Sequence, residues 1–279
     1  MITGLNRKLY SFLTEGALLV AIVSTLIPIG WLFWNSLRYS RDIINPDNPV
    51  VLTLYNYKSL FAGGSTFLTL FFNSLGVVLC TTLLCLLIGA LAAYSLSKFR
   101  WPRAFTPAVL GIALFIQLVP PIALVPALYL VLNSFYLYNS VTGLVLVNTV
   151  FNLPFAIFLL KVYFDSIPDD LKEAALVDGC KEGGVFWRVM VPLAAPGIAA
   201  VSILVAILTW NEFLMALSLT STPDAQTITV GISSYLQEFN VQYADMSAAS
   251  AIATIPLVIL ATVAHRYIVT GLTGGAVKG

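Results

Sequence analysis

From Ala104 to Leu160 the chain runs without a single Asp, Glu, Lys or Arg, and four more stretches share that property: Gly16 to Leu37, Ser59 to Ser97, Val189 to Asn211 and Met246 to His265. Side chains in such runs must face lipid or one another. A membrane-crossing helix takes about 20 apolar residues at roughly 1.5 Å rise each, so the run from Ala104 to Leu160 has to hold two. It divides at 133–140, where Asn133, Ser134, Tyr136, Tyr138, Asn139 and Ser140 suit an interface turn. The pattern predicts an all-α polytopic membrane protein, a single domain over 1–279 with six transmembrane helices near 13–34, 67–97, 104–132, 141–163, 197–219 and 247–269. Composition agrees: 59% of residues are apolar and 10% charged, with mean hydropathy +0.91, far from the balance of a soluble domain.

Basic residues orient the spans, because Lys and Arg in short loops stay on the cytosolic side. With the N-terminus inside, that side collects Arg7, Lys8, Lys98, Arg100, Arg103, Lys161, Lys172, Lys181, Arg188, Arg266 and Lys278, against Arg38, Arg41 and Lys58 outside. Both termini are therefore expected in the cytosol, and the loop near 220–246, with Asp224, Glu238 and Asp245, outside. The first apolar segment is too long for a signal-peptide core and lacks a small-x-small cleavage site, which predicts a retained span. The net charge of +1 does not point to nucleic acid. The surroundings are lipid.

Several chemistries lack their residues. Cys80 and Cys85 fall within the second span and Cys180 in a loop, so neither a disulfide framework nor a metal-spaced set is expected. Gly274 to Gly279 lacks the spacing and the following helix of a phosphate-binding loop, so ATP is not expected as this chain's own ligand. The single histidine, His265, reads as interfacial, and no Ser/His/Asp set or convergent carboxylate pair can be assembled. A non-catalytic membrane protein is expected.

One charged interruption stands between the fourth and fifth spans, over 164–192. Ser166 is placed to cap a helix whose first turn holds Pro168, Asp169 and Asp170, each favoured there by missing donors or the helix dipole. Leu171, Ala174 and Ala175 then share a face, Gly179 allows a sharp turn, and Glu173 is placed to pair with a base on another protein. A second helical stretch, 181–191, is expected to end at Pro192. By physics alone this is either a docking element with a small-residue face or a hairpin tying two spans together.

The spelling is more specific. Glu173-Ala174-Ala175, three residues, Gly179, nine residues, then Val189, Val191 and Pro192 resembles the EAA loop of ATP-binding-cassette (ABC) importer permeases, with Val in place of the usual Ile and Leu. Leu54-Tyr55-Asn56-Tyr57, Asn73-Ser74, Leu153-Pro154-Phe155, Trp210-Asn211-Glu212-Phe213 and the ending from Gly271 to Gly279 are similar to the carbohydrate-uptake branch, in particular to the smaller permease type of maltose-like importers. The resemblance implies a prokaryotic cytoplasmic membrane, a second and different permease, two ATPase subunits that hold ATP and Mg, and an external solute-binding protein. It implies that the EAA-like helix seats in the ATPase and that transport proceeds by alternating access. No cofactor would be bound by this chain.

Intramembrane polar side chains either line a cavity or bond a neighbouring helix. Asn73, Gln117, Asn148, Asn152, Asn211 and Glu212 are the candidates for a solute pathway, with Tyr129 and Trp210 as faces for a sugar ring. Gln237, Glu238, Phe239 and Asn240 correspond in position to the family loop that meets the binding protein. Pro120, Pro121 and Pro126 predict that the third span is not straight. A permease for a non-sugar solute, a secondary transporter and a channel-like oligomer remain alternatives, although the last two leave the EAA-like loop unexplained. Maltose, another oligosaccharide, a glycerol phosphodiester, trehalose or glucosylglycerol all fit as solutes.

Overall fold

The computed structural model describes residues 4–45, 47–236 and 241–276, with side chains described within 12–263. The helices are α1 Gly4–Ser36, α2 Ser40–Ile44, α3 Tyr55–Leu60, α4 Phe67–Lys98, α5 Phe105–Gln117, α6 Pro121–Ser134, α7 Val141–Asp165, α8 Asp169–Val177, α9 Glu182–Val185, α10 Val191–Leu193, α11 Ala195–Trp210, α12 Leu214–Leu219, α13 Ile228–Ser233 and α14 Tyr243–Ala276. A π-helical turn, Phe186–Met190, joins α9 to α10. No strand occurs among the described residues; an isolated bridge pairs Leu236 with Val241.

Four helices are each long and apolar enough to cross a bilayer: Phe12–Ser36, Phe67–Lys98, Val141–Asp165 and Tyr243–Val263. Two bent pairs, α5 with α6 and Glu182–Leu193 with α11, bring the number to as many as six if each pair makes one span. The chain is an all-α polytopic membrane protein.

The prolines do more than kink the stretch expected at 104–132. α5 stops at Gln117, Pro120 sits at φ −57°, ψ 124°, and α6 starts at Pro121, leaving the two helices bent by 96°. The cause is local: a proline pushes its predecessor out of the α region, and here that predecessor is itself a proline without an N–H. The stretch expected at 197–219 is also interrupted. α11 ends at Trp210 and α12 begins at Leu214, because the Glu212 carboxylate accepts from the Met215 and Ala216 N–H groups at 2.7 and 3.0 Å and so starts a new helix. The interface turn at 133–140 has Tyr136 and Asn139 at φ 57° and 53°, and Ser140 caps α7 by accepting from the Gly143 N–H at 3.0 Å.

The chain forms two compact units, Met1–Phe67 with Ile232–Thr254, and Leu68–Gly231 with Ile255–Gly279. In the first, every residue of α1 from Phe12 to Trp31 is exposed. The segment after α1 is held by polar contacts: Asn56 donates to the Ser36 and Arg38 carbonyls, both at 2.8 Å, and Tyr57 meets the Ser36 hydroxyl at 2.7 Å. The start of α14 joins it through Ala244 N–H to Ser40 Oγ at 3.2 Å and Ser59 Oγ to Asp245 Oδ1 at 3.3 Å.

In the second unit α4, α7 and α11 pack along one another. One cluster combines Cys85, Ala90, Ala93 and Tyr94 of α4 with Ala156, Leu160 and Phe164 of α7, Val201 and Val205 of α11, and Val185, Phe186 and Met190 from the loop between spans. A second combines Val77 with Leu144, Val147, Met215 and Leu219. Between lipid-facing helices the gain comes from close packing rather than release of water, which is why small residues occupy the contact. Gly89 lies against Leu160 and Ala156, and Gly197 against the Tyr163 ring.

Candidate functional site

The loop between α7 and α11 carries the EAA-like residues. Ser166 does not cap α8 as its position promises: its hydroxyl donates back to the Tyr163 carbonyl at 2.7 Å and closes α7. Pro168, at φ −57°, ψ 139°, occupies the cap position, and Asp169 and Asp170 follow in the first turn, where the helix dipole favours acids. α8 ends in a left-handed residue, Gly179 at φ +88°, while Asp178, Gly179 and Cys180 donate to the Ala174, Leu176 and Ala175 carbonyls. Only glycine takes that conformation without strain.

Packing divides the motif in two. Ala175 and Val191 rest on the buried cluster, and Val189 is half-buried. Glu173, Ala174, Gly179 and Pro192 face outward, with Leu171 43% and Val177 87% exposed beside them. Pro192 does not end the second helix, which continues to Leu193 before bending by 77° into α11. The π-helical turn just upstream accounts for this: Val191 N–H reaches back to the Phe186 carbonyl, and the widened turn accommodates a residue that lacks a donor. The result is a short exposed helix with a small-residue face and Glu173 exposed on it, rigidly rooted in the packed spans.

Five of the six polar candidates are hydrogen-bonded within the chain. Asn148 and Asn152, both buried in α7, donate to the carbonyls one turn back, Leu144 at 3.0 Å and Asn148 at 2.9 Å, and Asn152 reaches Thr209 Oγ1 of α11 at 3.5 Å. Glu212 caps α12, and its own carbonyl accepts from Thr229. Asn211 is exposed and donates to Ile207 O at 2.8 Å; Gln117 is exposed at the α5–α6 break. Trp210 is buried edge-on against Phe71, and Tyr129 meets Tyr138. An apolar cavity of about 670 Å3, with Leu75, Leu79, Leu83, Ile203, Trp210 and Pro256 on its wall, includes none of the six and offers a sugar almost no polar partner.

Asn73 ties α4 to the following loop by donating to three carbonyls, Pro223, Asp224 and Gln226, at 3.0 to 3.1 Å. Replacing it by leucine is expected to lower stability by about 1 to 2 kcal/mol, since three acceptors lose their donor, read as an earlier thermal midpoint of the solubilised chain. An unchanged midpoint with weakened solute transport would instead make Asn73 a pathway residue. Gln237 to Asn240 lie outside the described residues; Leu236 and Val241 on either side pair across the loop. Among the described residues no group of three or more His, Cys, Asp or Glu stands together as a metal site.

The sequence model of the family described as "Binding-protein-dependent transport system inner membrane component" matches residues 85–274, which takes in the whole loop, α11 to α13 and α14 up to residue 274. The chain belongs to this family. Among curated relatives, the permease is 37% identical over 257 residues to the trehalose transport system permease protein SugB of Mycobacterium tuberculosis, covering 91% of this chain and 93% of the relative. It is 36% identical to the sulfoquinovosyl glycerol transport system permease protein SmoH of Agrobacterium fabrum, covering 93% and 91%. To the arabinooligosaccharides transport system permease protein AraQ of Bacillus subtilis it is 34% identical, covering 91% of each. A crystal structure of a bacterial ABC transporter for import of the acidic polysaccharide alginate contains a chain with the same fold, TM-score 0.79 at 22% identity, over 94% of this permease and 97% of that chain. The permease is thus a multi-pass membrane subunit of a binding-protein-dependent ABC transport system.

Sequence reasoning missed the cluster around Lys98, Lys172, Glu182 and Tyr94, which joins α4 to the loop. Lys98 and Lys172 counted there only as charges that orient the spans.

Proposed function

We infer that the permease imports a carbohydrate, a di- or oligosaccharide or a glycoside, as one half of a pathway completed by a second, different permease. The exposed face of α8 carries this reading: Glu173, Ala174 and Gly179 stand free of the chain's own core, on a helix whose other side is fixed to it. Of two ATPase subunits, holding ATP and Mg, one would seat that face, with Ala175, Val189, Val191 and Pro192 setting its angle. An external binding protein would deliver the solute, Gln237, Glu238, Phe239 and Asn240 forming part of its landing site. Both termini would be cytosolic, in keeping with the basic residues on that side, and the chain itself would be non-catalytic and free of cofactor.

Support for a sugar comes from relatives named for trehalose, sulfoquinovosyl glycerol and arabinooligosaccharides at 34 to 37% identity over more than nine-tenths of the chain. The bonding of Asn73, Asn148, Asn152 and Glu212 within the chain favours a helix-bonding role for these four, leaving Gln117 and Asn211 as the exposed candidates for solute contact. The test is ATPase activity of the assembled transporter in nanodiscs with its binding protein loaded with each of these sugars, maltose or glucosylglycerol. Turnover that rises with one loaded sugar is expected. Stimulation by an amino acid or phosphate alone would overturn the carbohydrate assignment, and solute flux through the permease without any ATPase would overturn the importer.

A further inference from the structure

The spans that flank the α8 loop in sequence are α7 and α11, yet the strongest polar attachment of α8 is to α4. Lys98, the last residue of α4, has a side chain only 3% exposed, and its ammonium donates to the Ile167 carbonyl and the Asp169 carboxylate, both at 2.6 Å. Those two acceptors bracket the start of α8. From the middle of α8, Lys172 donates to the Lys98 carbonyl at 3.0 Å and pairs with Glu182 at 3.1 Å. A cation on that carbonyl also complements the negative end of the α4 dipole. The second oxygen of Glu182 accepts the Tyr94 hydroxyl of α4 at 3.0 Å, which closes a ring of contacts through α4, α8 and α9.

Aromatic side chains fill the space around the lysines. The Lys172 ammonium stands 4.2 Å from the Phe99 ring centroid and 5.7 Å from that of Tyr94. Tyr94 packs edge-on against Phe99 and Phe164 and lies 5.1 Å from the Phe186 ring. Loose surface ion pairs hold nothing in place. These differ, because the lysine ends are sunk in protein, 3% and 12% exposed, and only the carboxylates reach solvent. Lys98 holds the Asp169 carboxyl below its ordinary range. The pair is therefore intact at neutral pH and lost only as pH falls through that lowered value.

The far end of α4 is anchored as well. Asn73 holds the carbonyls of Pro223, Asp224 and Gln226, and Ser74 Oγ accepts from the Ile228 N–H at 2.8 Å. A helix of 32 residues spans about 48 Å at 1.5 Å per residue, more than the hydrocarbon thickness. One unbroken rod therefore connects the exposed helix of the α7–α11 loop with the loop on the opposite side. α4 has no internal proline to absorb a displacement.

We propose that Lys98, Lys172, Glu182 and Tyr94 are positioning residues that lock α8 to α4, so that α4 carries the movement of α8 across the membrane to the 223–228 loop. This rests on the importer reading above. Movement of the ATPase face would then reach the outer side through a span not adjacent in sequence to the loop being pushed. Unlatching the lysines would let α8 move without α4.

The experiment uses the full transporter with its binding protein, comparing the wild-type permease with Lys98→Met/Lys172→Met. The ratio of solute moved to ATP hydrolysed is expected to fall roughly tenfold, within the range of ordinary coupling energies, and the exchange Lys172→Glu/Glu182→Lys is expected to recover part of the ratio lost in Lys172→Met alone. Spin labels at Asp170 on α8 and Leu91 on α4, with the three native cysteines replaced by alanine, read the latch directly. Their separation is expected to stay constant between nucleotide-free and ATP-bound states in the wild type and to change in the double variant. A wild-type separation that varies with nucleotide, or a double variant with the full transport ratio, overturns the latch and leaves the importer reading standing. A wild-type complex without binding-protein-stimulated ATPase removes the importer reading, and this proposal with it.

Discussion

Combining Gly179→Val with Glu173→Lys is expected to leave the permease in the membrane at ordinary abundance while solute uptake falls by at least about tenfold, the size of a 1 to 2 kcal/mol bias against the working loop geometry. The two changes act by different routes. Gly179 sits at φ +88° with no atom beyond its own residue and its two chain neighbours within 4 Å of where a Cβ would be. A side chain there meets open space, so its cost within the chain is backbone strain alone, greatest for a β-branched residue. Glu173 is exposed, and reversing its charge costs the fold little. Any loss beyond the strain must therefore arise where another protein touches the loop. Gly179→Ala separates the contributions, since it carries the strain with little bulk. The measurement is uptake in membrane vesicles alongside ATPase turnover of the same preparation. Turnover that continues while uptake fails is the expected signature, and full uptake in the double variant would remove the coupling role from this loop.

Much of this site was legible beforehand because it depends on local rules. A glycine four residues after an alanine pair and two acids after a proline each act on their own few residues of backbone, and α8 with its left-handed end follows. The charge-free runs announced the spans for the same reason. What escaped is tertiary. Asn73 reads as a polar residue in a span, but its three acceptors lie some 150 positions away in sequence. Lys98 reads as a charge at a membrane boundary, although its ammonium is buried against Ile167 and Asp169. The break before α12 and the π-helical turn before Pro192 follow from a carboxylate and a missing donor that hydropathy averages away. Ser166 illustrates the opposite error: its spacing satisfies a cap rule, but a closer carbonyl of its own helix took the hydroxyl.

Gly197→Val is expected to be strongly destabilising, by about 3 kcal/mol or more, since it forces bulk into a close contact. A Cβ at this position would stand 2.2 Å from Tyr163 Cγ and 2.5 and 2.6 Å from the two Cδ atoms. The clash is with the root of the ring, so rotation about the ring axis does not relieve it, and α7 and α11 must separate or Tyr163 must change rotamer. Gly197 lies two residues past the start of α11, just beyond the 77° bend that leads out of the loop. The glycine thus lets the two spans that flank the loop touch where a push on the loop enters the bundle. Tyr163→Ala made together with Gly197→Ala should restore part of the thermal midpoint lost in Gly197→Ala, because the two side chains occupy the same space. That rescue identifies the steric contact as the cause. If Gly197→Val melts with the wild type, α7 and α11 do not approach this closely. If the rescued pair folds normally but transports poorly, rigidity of the contact, and not stability alone, is what carries force from the loop into the membrane.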